Sequence, residues 1–145
     1  MNLDLGGKHI FIAGASRGIG EAMARAFLSE GAKVALTART PGPLEAAHAA
    51  FAKEYGAANV WRFVGDMTQT ADIEAALDGA EKALGPVHCA IANVGIDKAP
   101  LGIDVSDDQW EAGIAQNYQS ATRLSRTALK RILARTREAR ADANE

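Results

Sequence analysis

A glycine-rich turn between two apolar segments constrains this chain more than any other feature. Residues 14–20 have the sequence Gly-Ala-Ser-Arg-Gly-Ile-Gly and follow the apolar run at 9–13, which predicts a buried strand. The segment after the turn carries apolar residues at helical spacing, at Ile19, Met23, Ala26 and Phe27. Glycine leaves no side chain between the backbone amides and a ligand, and a helix N-terminus favours an anion. The turn therefore predicts a nucleotide site that holds a pyrophosphate, with a simple tight turn as the alternative.

Strand and helix signals alternate along the rest of the chain. Gly31 is placed to end the first helix, and Ser106 or Asp107 is placed to cap the last one. The pattern predicts strands at 33–37, 59–64 and 87–91 and helices at 44–55, at 71–84 and from 106 onward. Four strands joined by helices of this length favour parallel β-α-β units with right-handed crossovers.

Length and composition narrow the class of protein. A chain of 145 residues, 48% of them hydrophobic, fits one domain with a real core. No stretch approaches the roughly 20 apolar residues of a membrane span, and the N-terminus lacks the layout of a secretory signal. Cys89 is the single cysteine, which excludes an internal disulfide and favours a reducing, cytoplasmic location. The net charge of −2 provides no general attraction to nucleic acid.

Several short motifs together resemble the short-chain dehydrogenase/reductase family. They are Gly14, Gly18 and Gly20 in the turn, Asp66 after the third strand, Ala-Asn-Val-Gly at 92–95, and Asn117 on the last helix. The resemblance covers roughly residues 5–130. It implies an α/β fold with a truncated Rossmann-type doubly wound parallel sheet of strand order 3-2-1-4. We expect this cofactor-binding domain at 1–133 and a polar helical tail at 134–145.

The end of the second strand bears on the choice of cofactor. A carboxylate there would bind the ribose hydroxyls of NAD, but the sequence has Thr-Ala-Arg-Thr at 37–40, and Arg17 lies inside the glycine turn. Two guanidinium groups favour a 2′-phosphate by charge and by forked hydrogen bonds. The Ser-Arg pair in the turn is also similar to NADP-preferring members of the family. We therefore expect NADP(H) in preference to NAD(H), unless Arg39 is only a solvated loop residue.

The resemblance implies further roles for individual residues. Asp66 would contact the adenine with Met67 behind the ring, although a turn or N-cap aspartate is the alternative. Asn93 and Gly95 would lie by the cofactor ribose, while Ala92 and Val94 depart from the usual Asn-Asn-Ala-Gly. The expected cofactor-binding residues are Gly14, Ser16, Arg17, Gly18, Ile19, Gly20, Arg39, Asp66, Met67, Asn93 and Gly95.

Asn117 is the one catalytic candidate. In the family the matching asparagine bends its helix around a water molecule and supports a catalytic lysine. Here it falls in a stripe at alternating four and three spacing, Trp110, Ile114, Asn117, Ala121, Leu124 and Ala128, which predicts one helical face. A buried core amide with satisfied hydrogen bonds is therefore the alternative interpretation.

The proton donor of the family has no counterpart in the sequence. Its members use a tyrosine with a lysine four residues later, but Asn59 follows Tyr55 and Thr122 follows Tyr118 at that spacing. A fifth strand with the catalytic serine is also missing after Leu133. Carbonyl reduction needs a proton donor within reach. We therefore expect the cofactor-binding portion of an NADP(H)-dependent carbonyl or alcohol oxidoreductase, inactive alone. The alternatives are a non-catalytic dinucleotide-binding or assembly module and a designed half-Rossmann scaffold.

Two remaining features suggest partners. A sheet that ends at the fourth strand has an unpaired edge, and the last helix would expose its stripe from Ile114 to Ile132. We expect self-association through that helix or edge. After Leu133 the chain is rich in Arg, Ala and Glu, which predicts a solvated helix end and no nucleic-acid partner. The three histidines and Cys89 lack metal-ligand spacing, so we expect no metal site.

Overall fold

The computed structural model describes residues 3–95 and 102–142 and consists of a parallel sheet with helices on both faces. The elements are β1 (His9–Ala13), α1 (Gly18–Ser29), β2 (Lys33–Ala38), α2 (Pro41–Tyr55), β3 (Val60–Val64), α3 (Thr70–Leu84), β4 (Val87–Ala92), α4 (Asp107–Ile114) and α5 (Ser120–Asp142). The strands pair in parallel in the order β3-β2-β1-β4. The predicted α/β fold of Rossmann type is confirmed.

Strand β1 lies at the centre and is buried along its whole length. Ile10 and Ile12 point to one face and pack with residues of α1 and α2. Phe11 and Ala13 point to the other face and pack with residues of α3 and α5. Because alternate side chains of a strand point to opposite faces, one continuous apolar run builds both halves of the core.

Glycines end the elements where the sequence predicts. Gly31, Gly56 and Gly85 have φ values of +80°, +93° and +89°, which a residue with a β-carbon rarely adopts. Helix α2 begins at Pro41, within the Pro-Gly-Pro segment at 41–43 that indicates a turn and a helix start, because proline fits the first turn of a helix. Asn59 lies in a short 3-10 helix, Ala57–Asn59, so β3 begins one residue later than predicted.

The long helix predicted from residue 106 is present but contains a π-helical turn, and the prediction of one apolar face along it is wrong. Ser106 is the N-cap of α4, and its Oγ accepts a hydrogen bond from Gln109 N at 3.3 Å. A π-helical turn, Ala115–Gln119, then separates α4 from α5. Such a turn inserts an extra residue and offsets the helical faces on its two sides. The predicted single stripe is therefore split, with Leu124 and Ala128 buried and Trp110 and Ile114 exposed.

Helix α5 continues to Asp142, through most of the tail at 134–145 that the sequence predicts to be polar and helical. Arg131 forms ion pairs of 2.7 Å with Asp78 and 2.8 Å with Glu81. Arg135 Nη2 donates to the carbonyl of Val87 at 2.5 Å. These contacts fix α5 to α3 and β4, whereas residues 136–142 are exposed. Residues 143–145 of the predicted tail lie outside the described residues, and the domain boundary at 133 stays a prediction.

His9 is a fully buried titratable group at the start of β1. Its Nδ1 lies 2.7 Å from the carbonyl oxygen of Gly85, and its backbone N–H donates to Nδ1 of His88 at 3.1 Å. Its Nε2 has no hydrogen-bond partner among the described residues. Burial lowers the pKa of His9, and the positive charge of Lys33 and the neighbouring His88 act in the same direction, while the Gly85 carbonyl and Glu81 oppose them. The fold therefore favours the neutral form of His9.

We expect the free energy of unfolding to fall as the pH drops below about 6.5, the ordinary pKa of histidine. The unfolded chain binds a proton there that buried His9 does not bind, so acid favours unfolding until the lowered pKa is reached. Urea unfolding over a pH series should show a flatter pH dependence in His9→Gln. His48→Gln removes a histidine from α2 instead and serves as the control. An unchanged pH dependence in His9→Gln would contradict this assignment.

Candidate functional site

A cleft of about 710 Å³ opens at the carboxyl ends of the strands. It lies where open parallel sheets bind ligands, and its volume suits a cofactor. The cleft is lined by Gly14, Ser16, Arg17, Gly18, Ile19, Ala38, Arg39, Thr40, Pro43, Gly65, Asp66, Met67, Asn93, Val94, Gly95 and Gln116. All the cofactor-binding residues named from the sequence, except Gly20, therefore line one cavity.

The glycine turn forms the floor of this cleft. The N–H groups of Gly14 and Ala15 both donate to the carbonyl of Thr37 at 2.9 Å, which fixes the turn to the end of β2. Gly14 has φ +74°, and a β-carbon there would lie 2.7 Å from the carbonyl oxygen of Asn93. Gly18 has φ +59° and nothing within 4 Å of an added β-carbon, so its backbone is open to a ligand.

Helix α1 begins at Gly18 with its N-terminus beside the cleft. The side chain of its N-cap residue, Arg17, makes no capping hydrogen bond to the first turn. The first backbone N–H groups of a helix have no partner within the helix and carry its positive dipole end. This arrangement suits a phosphate or pyrophosphate group.

Gly20 lies behind the turn and does not line the cleft. A β-carbon at this position would lie 2.0 Å from the carbonyl oxygen of Gly14 and 2.8 Å from Nδ2 of Asn93. That same Nδ2 donates to the Gly14 carbonyl at 3.0 Å. Gly20 and Asn93 therefore set the shape of the turn by close packing and by a cross-link to the end of β4.

One wall of the cleft is basic and the neighbouring wall carries a carboxylate. Arg17 and Arg39 are both exposed and line the wall near the end of β2. Asp66 and Met67 lie at the end of β3, where Met67 is only 2% exposed. Asp66 Oδ1 accepts a hydrogen bond from Thr68 N at 2.9 Å. A ligand with a negative group beside Arg17 and Arg39 fits this arrangement.

Asn117 does not line the cleft, but it lies in the π-helical turn next to Gln116, which does. Its Nδ2 donates to the carbonyl of Gly113 at 3.0 Å. A β-carbon at Gly95 would lie 3.1 Å from its Oδ1, so Asn117 borders the loop after β4. Asn117 is exposed, and the interpretation as a buried core amide is therefore wrong.

The sequence reasoning missed six of the lining residues as site residues: Ala38, Thr40, Pro43, Gly65, Val94 and Gln116. Ala38 is the last residue of β2, and Thr40, Pro43 and Gly65 follow β2 or β3 within a few residues. Val94 follows β4, and Gln116 precedes Asn117. The rule that ligands bind at the carboxyl ends of parallel strands would have included Ala38, Thr40 and Gly65.

Neither tyrosine lines the cleft. The side chain of Tyr55 is hydrogen-bonded to Glu54, and this bond is the main reason that its pKa is raised. Tyr118 belongs to the π-helical turn and is 68% exposed. In the described ranges 3–95 and 102–142, no group of three or more His, Cys, Asp or Glu residues is arranged to hold a metal ion. No helix there has the length and hydropathy of a membrane span.

Comparison with protein families gives a match over most of the chain. Residues 8–140 match the family model described as short chain dehydrogenase. The chain is 32% identical over 135 residues to the 3-oxoacyl-(acyl-carrier-protein) reductase FabG of Salmonella typhimurium, covering 88% of this chain and 50% of that protein. It is also 32% identical over 129 residues to a 2,3-dihydro-2,3-dihydroxybenzoate dehydrogenase of Bacillus subtilis, covering 89% of this chain and 49% of that protein. The chain thus spans about half the length of these curated relatives.

Solved structures show the same similarity in three dimensions. L-sorbose reductase from Gluconobacter frateurii, complexed with NADPH and L-sorbose, has a TM-score of 0.85 at 26% identity. The match covers 93% of this chain and 51% of that chain. A 3-ketoacyl-(acyl-carrier-protein) reductase from Brucella melitensis, complexed with NADH, has a TM-score of 0.78 at 28% identity. This match covers 88% of this chain and 50% of that chain. These two similar structures contain different nicotinamide cofactors.

Proposed function

The chain belongs to the short chain dehydrogenase family of oxidoreductases, and on that premise we propose that its cleft binds NADP(H) in preference to NAD(H). The observation that carries this proposal is the convergence of Gly14, Gly18, Arg39, Asp66 and Asn93 on one cavity at the strand ends. The pyrophosphate would lie against the amides at the start of α1. The bound cofactor would supply or accept the hydride.

The preference for NADP(H) rests on the charges around the end of β2. Arg39 and Arg17 line the cleft, and the other lining residues there, Ala38, Thr40 and Pro43, are uncharged. A 2′-phosphate between two guanidinium groups gains charge-assisted hydrogen bonds, while a 2′-hydroxyl gains less. The Asp66 carboxylate would accept from the adenine and Met67 would pack behind the ring.

A thermal unfolding experiment tests the binding directly. A ligand that binds only the folded chain stabilises it by about 2.7 kcal/mol at a concentration of about 100 times Kd. For a chain of this size we expect NADPH to raise Tm by about 5–10 °C, and NADH at equal concentration to raise it less. No shift with either dinucleotide would contradict the proposal.

We further propose that the chain alone does not turn over a carbonyl or alcohol substrate, because neither Tyr55 nor Tyr118 can act as the family's proton donor. Asn117 would keep the family role of supporting a lysine, which a longer chain or a partner chain would supply. NADPH consumption with a panel of ketones measures this, and we expect no rate above the protein-free control. Turnover by the chain alone would contradict the proposal.

Self-association is a further part of the proposal. A broken row of exposed apolar side chains runs along α4, the π-helical turn and α5: Trp110, Ile114 and Tyr118, and then, about three turns later, Leu129 and Leu133. We call this row the exposed α4–α5 stripe. Isolated apolar side chains are common on protein surfaces, but apolar side chains on successive helical turns, as at Trp110, Ile114 and Tyr118, are typical of an interface. A second copy of the chain is the proposed occupant. The cytoplasmic location and the absence of a nucleic-acid partner stay predictions.

Ile114→Glu is expected to weaken this self-association. A carboxylate in the exposed α4–α5 stripe would be desolvated in the interface, which costs several kcal/mol without a partner charge. Sedimentation velocity should show the unsubstituted chain as an oligomer and Ile114→Glu shifted toward the monomer. Ala112→Glu adds the same charge to an exposed position on another face of α4, and this variant should remain as oligomeric as the unsubstituted chain. A monomeric unsubstituted chain would contradict this part of the proposal.

A further inference from the structure

The loop between β3 and α3, residues 65–69, forms the wall of the cleft that holds Asp66. Gly65, Asp66 and Met67 line the cavity, and Met67 and Thr68 are buried. Within the loop, Asp66 Oδ1 accepts from Thr68 N and the Asp66 carbonyl accepts from Gln69 N, both at 2.9 Å. The side chain of Asp66 therefore takes its direction from the backbone of Thr68.

Two charged side chains from outside the loop hold its backbone. Asp72, in the first turn of α3, accepts a hydrogen bond from Asp66 N at 2.7 Å. Arg123, from α5, donates through Nη1 to the carbonyl of Thr68, across 55 residues of sequence. Hydrogen bonds to ionised groups are among the stronger ones in proteins. The loop is thus fixed at both ends of the Asp66–Thr68 unit, once by an anion and once by a cation.

The contact of Arg123 is separate from the contacts that attach α5 to the rest of the fold. Leu124 and Ala128 are buried in the core, and Arg131 and Arg135 bond to α3 and to the start of β4. Helix α5 therefore has its own anchors without Arg123. The Arg123 side chain instead reaches the one loop that carries Asp66 into the cleft.

We infer that Arg123 and Asp72 are positioning residues for the adenosine half of the dinucleotide. They hold the backbone of residues 66–68 so that the Asp66 carboxylate faces the cleft before the cofactor arrives. A preorganised loop avoids the ordering cost that a mobile loop adds to binding. Helix α5 follows directly from the π-helical turn that contains Gln116 and Asn117, so one continuous helical segment supplies both the cleft residue Gln116 and the Arg123 contact to the loop. This inference rests on the proposed function.

Calorimetric titration with adenosine 2′,5′-bisphosphate tests the inference on the adenosine half alone. We expect Arg123→Leu to bind this ligand about tenfold more weakly than the unsubstituted chain. Arg126→Leu removes the same charge from an exposed position on the same helix and should bind normally. Arg123→Lys retains a donor and should recover part of the affinity. Equal weakening in Arg126→Leu would overturn the inference, because long-range charge would then explain the loss.

Asp72 provides a second test that does not depend on the folding of Arg123→Leu. Asp72→Ala removes the acceptor for Asp66 N, whereas Asp72→Asn keeps an oxygen acceptor. We expect faster hydrogen exchange at the Asp66 amide and weaker ligand binding in Asp72→Ala, and recovery of both in Asp72→Asn. If the unsubstituted chain binds the ligand and both Arg123→Leu and Asp72→Ala bind it equally well, the positioning role is wrong. If the unsubstituted chain binds neither this ligand nor NADPH, the proposed function itself fails, and this inference with it.

Discussion

Gly20→Val is expected to lower the affinity of the chain for NADPH by at least about a hundredfold. The β-carbon that it adds would lie 2.0 Å from the carbonyl oxygen of Gly14 and 2.9 Å from the carbonyl carbon. Both are backbone atoms of the turn itself, so no side-chain rotation relieves the clash. The turn must move out of the geometry in which its amides meet a pyrophosphate. Overpacking of this kind also destabilises a fold by about 1–3 kcal/mol, which urea unfolding would measure.

Gly113→Ala is the matched control for this substitution. Gly113 also lies within a helix, but an added β-carbon there meets nothing within 4 Å. Alanine is favoured over glycine in a helix by about 0.8–1 kcal/mol, so the control should be equally or more stable and should bind NADPH normally. Binding by a folded Gly20→Val chain within a few-fold of the unsubstituted affinity would show that the turn does not hold the pyrophosphate.

Arg39→Asp is expected to reverse the cofactor preference. Arg39 is exposed at the end of β2 and lines the cleft beside Arg17. Loss of a hydrogen bond to a charged group costs about 1.5–3 kcal/mol, and repulsion between the new carboxylate and a 2′-phosphate adds to that loss. We expect NADPH affinity to fall by about a hundredfold or more. NADH affinity should be kept or improved, because a carboxylate accepts hydrogen bonds from ribose hydroxyls.

The ratio of the two affinities is the measurement for this variant. Arg137→Asp makes the same change of charge at an exposed position near the end of α5 and should leave the ratio unchanged. If Arg39→Asp also leaves the ratio unchanged, Arg39 is only a solvated loop residue. The NADP(H) preference would then need another explanation.

The central part of this fold could be predicted because its signals are local. The apolar runs and the glycines at 31, 56 and 85 mark element ends through the backbone angles that glycine alone adopts easily. The cleft could be predicted because parallel strands present their carboxyl ends at one edge of the sheet. For this reason Asp66, Arg39 and Asn93, far apart in sequence, were expected near the same ligand.

The features that escaped prediction depend on tertiary contacts. The π-helical turn around Asn117 shifts the helical register by one residue, and no periodicity in the sequence marks such an insertion. Arg123, Arg131 and Arg135 form a basic run in the sequence that resembles a solvated face. In the fold, Arg123 bonds to a loop of the cleft, and the other two bond to α3 and β4. Their partners lie about 50 residues away, so spacing alone does not indicate them.

Isothermal titration of the unsubstituted chain with NADPH and with NADH tests the central claim most directly. The account predicts saturable heat at one site per chain with both dinucleotides, and a Kd for NADPH at least about tenfold lower. A folded sample that gives no heat with either dinucleotide would contradict the claim that residues 14–20 hold a pyrophosphate.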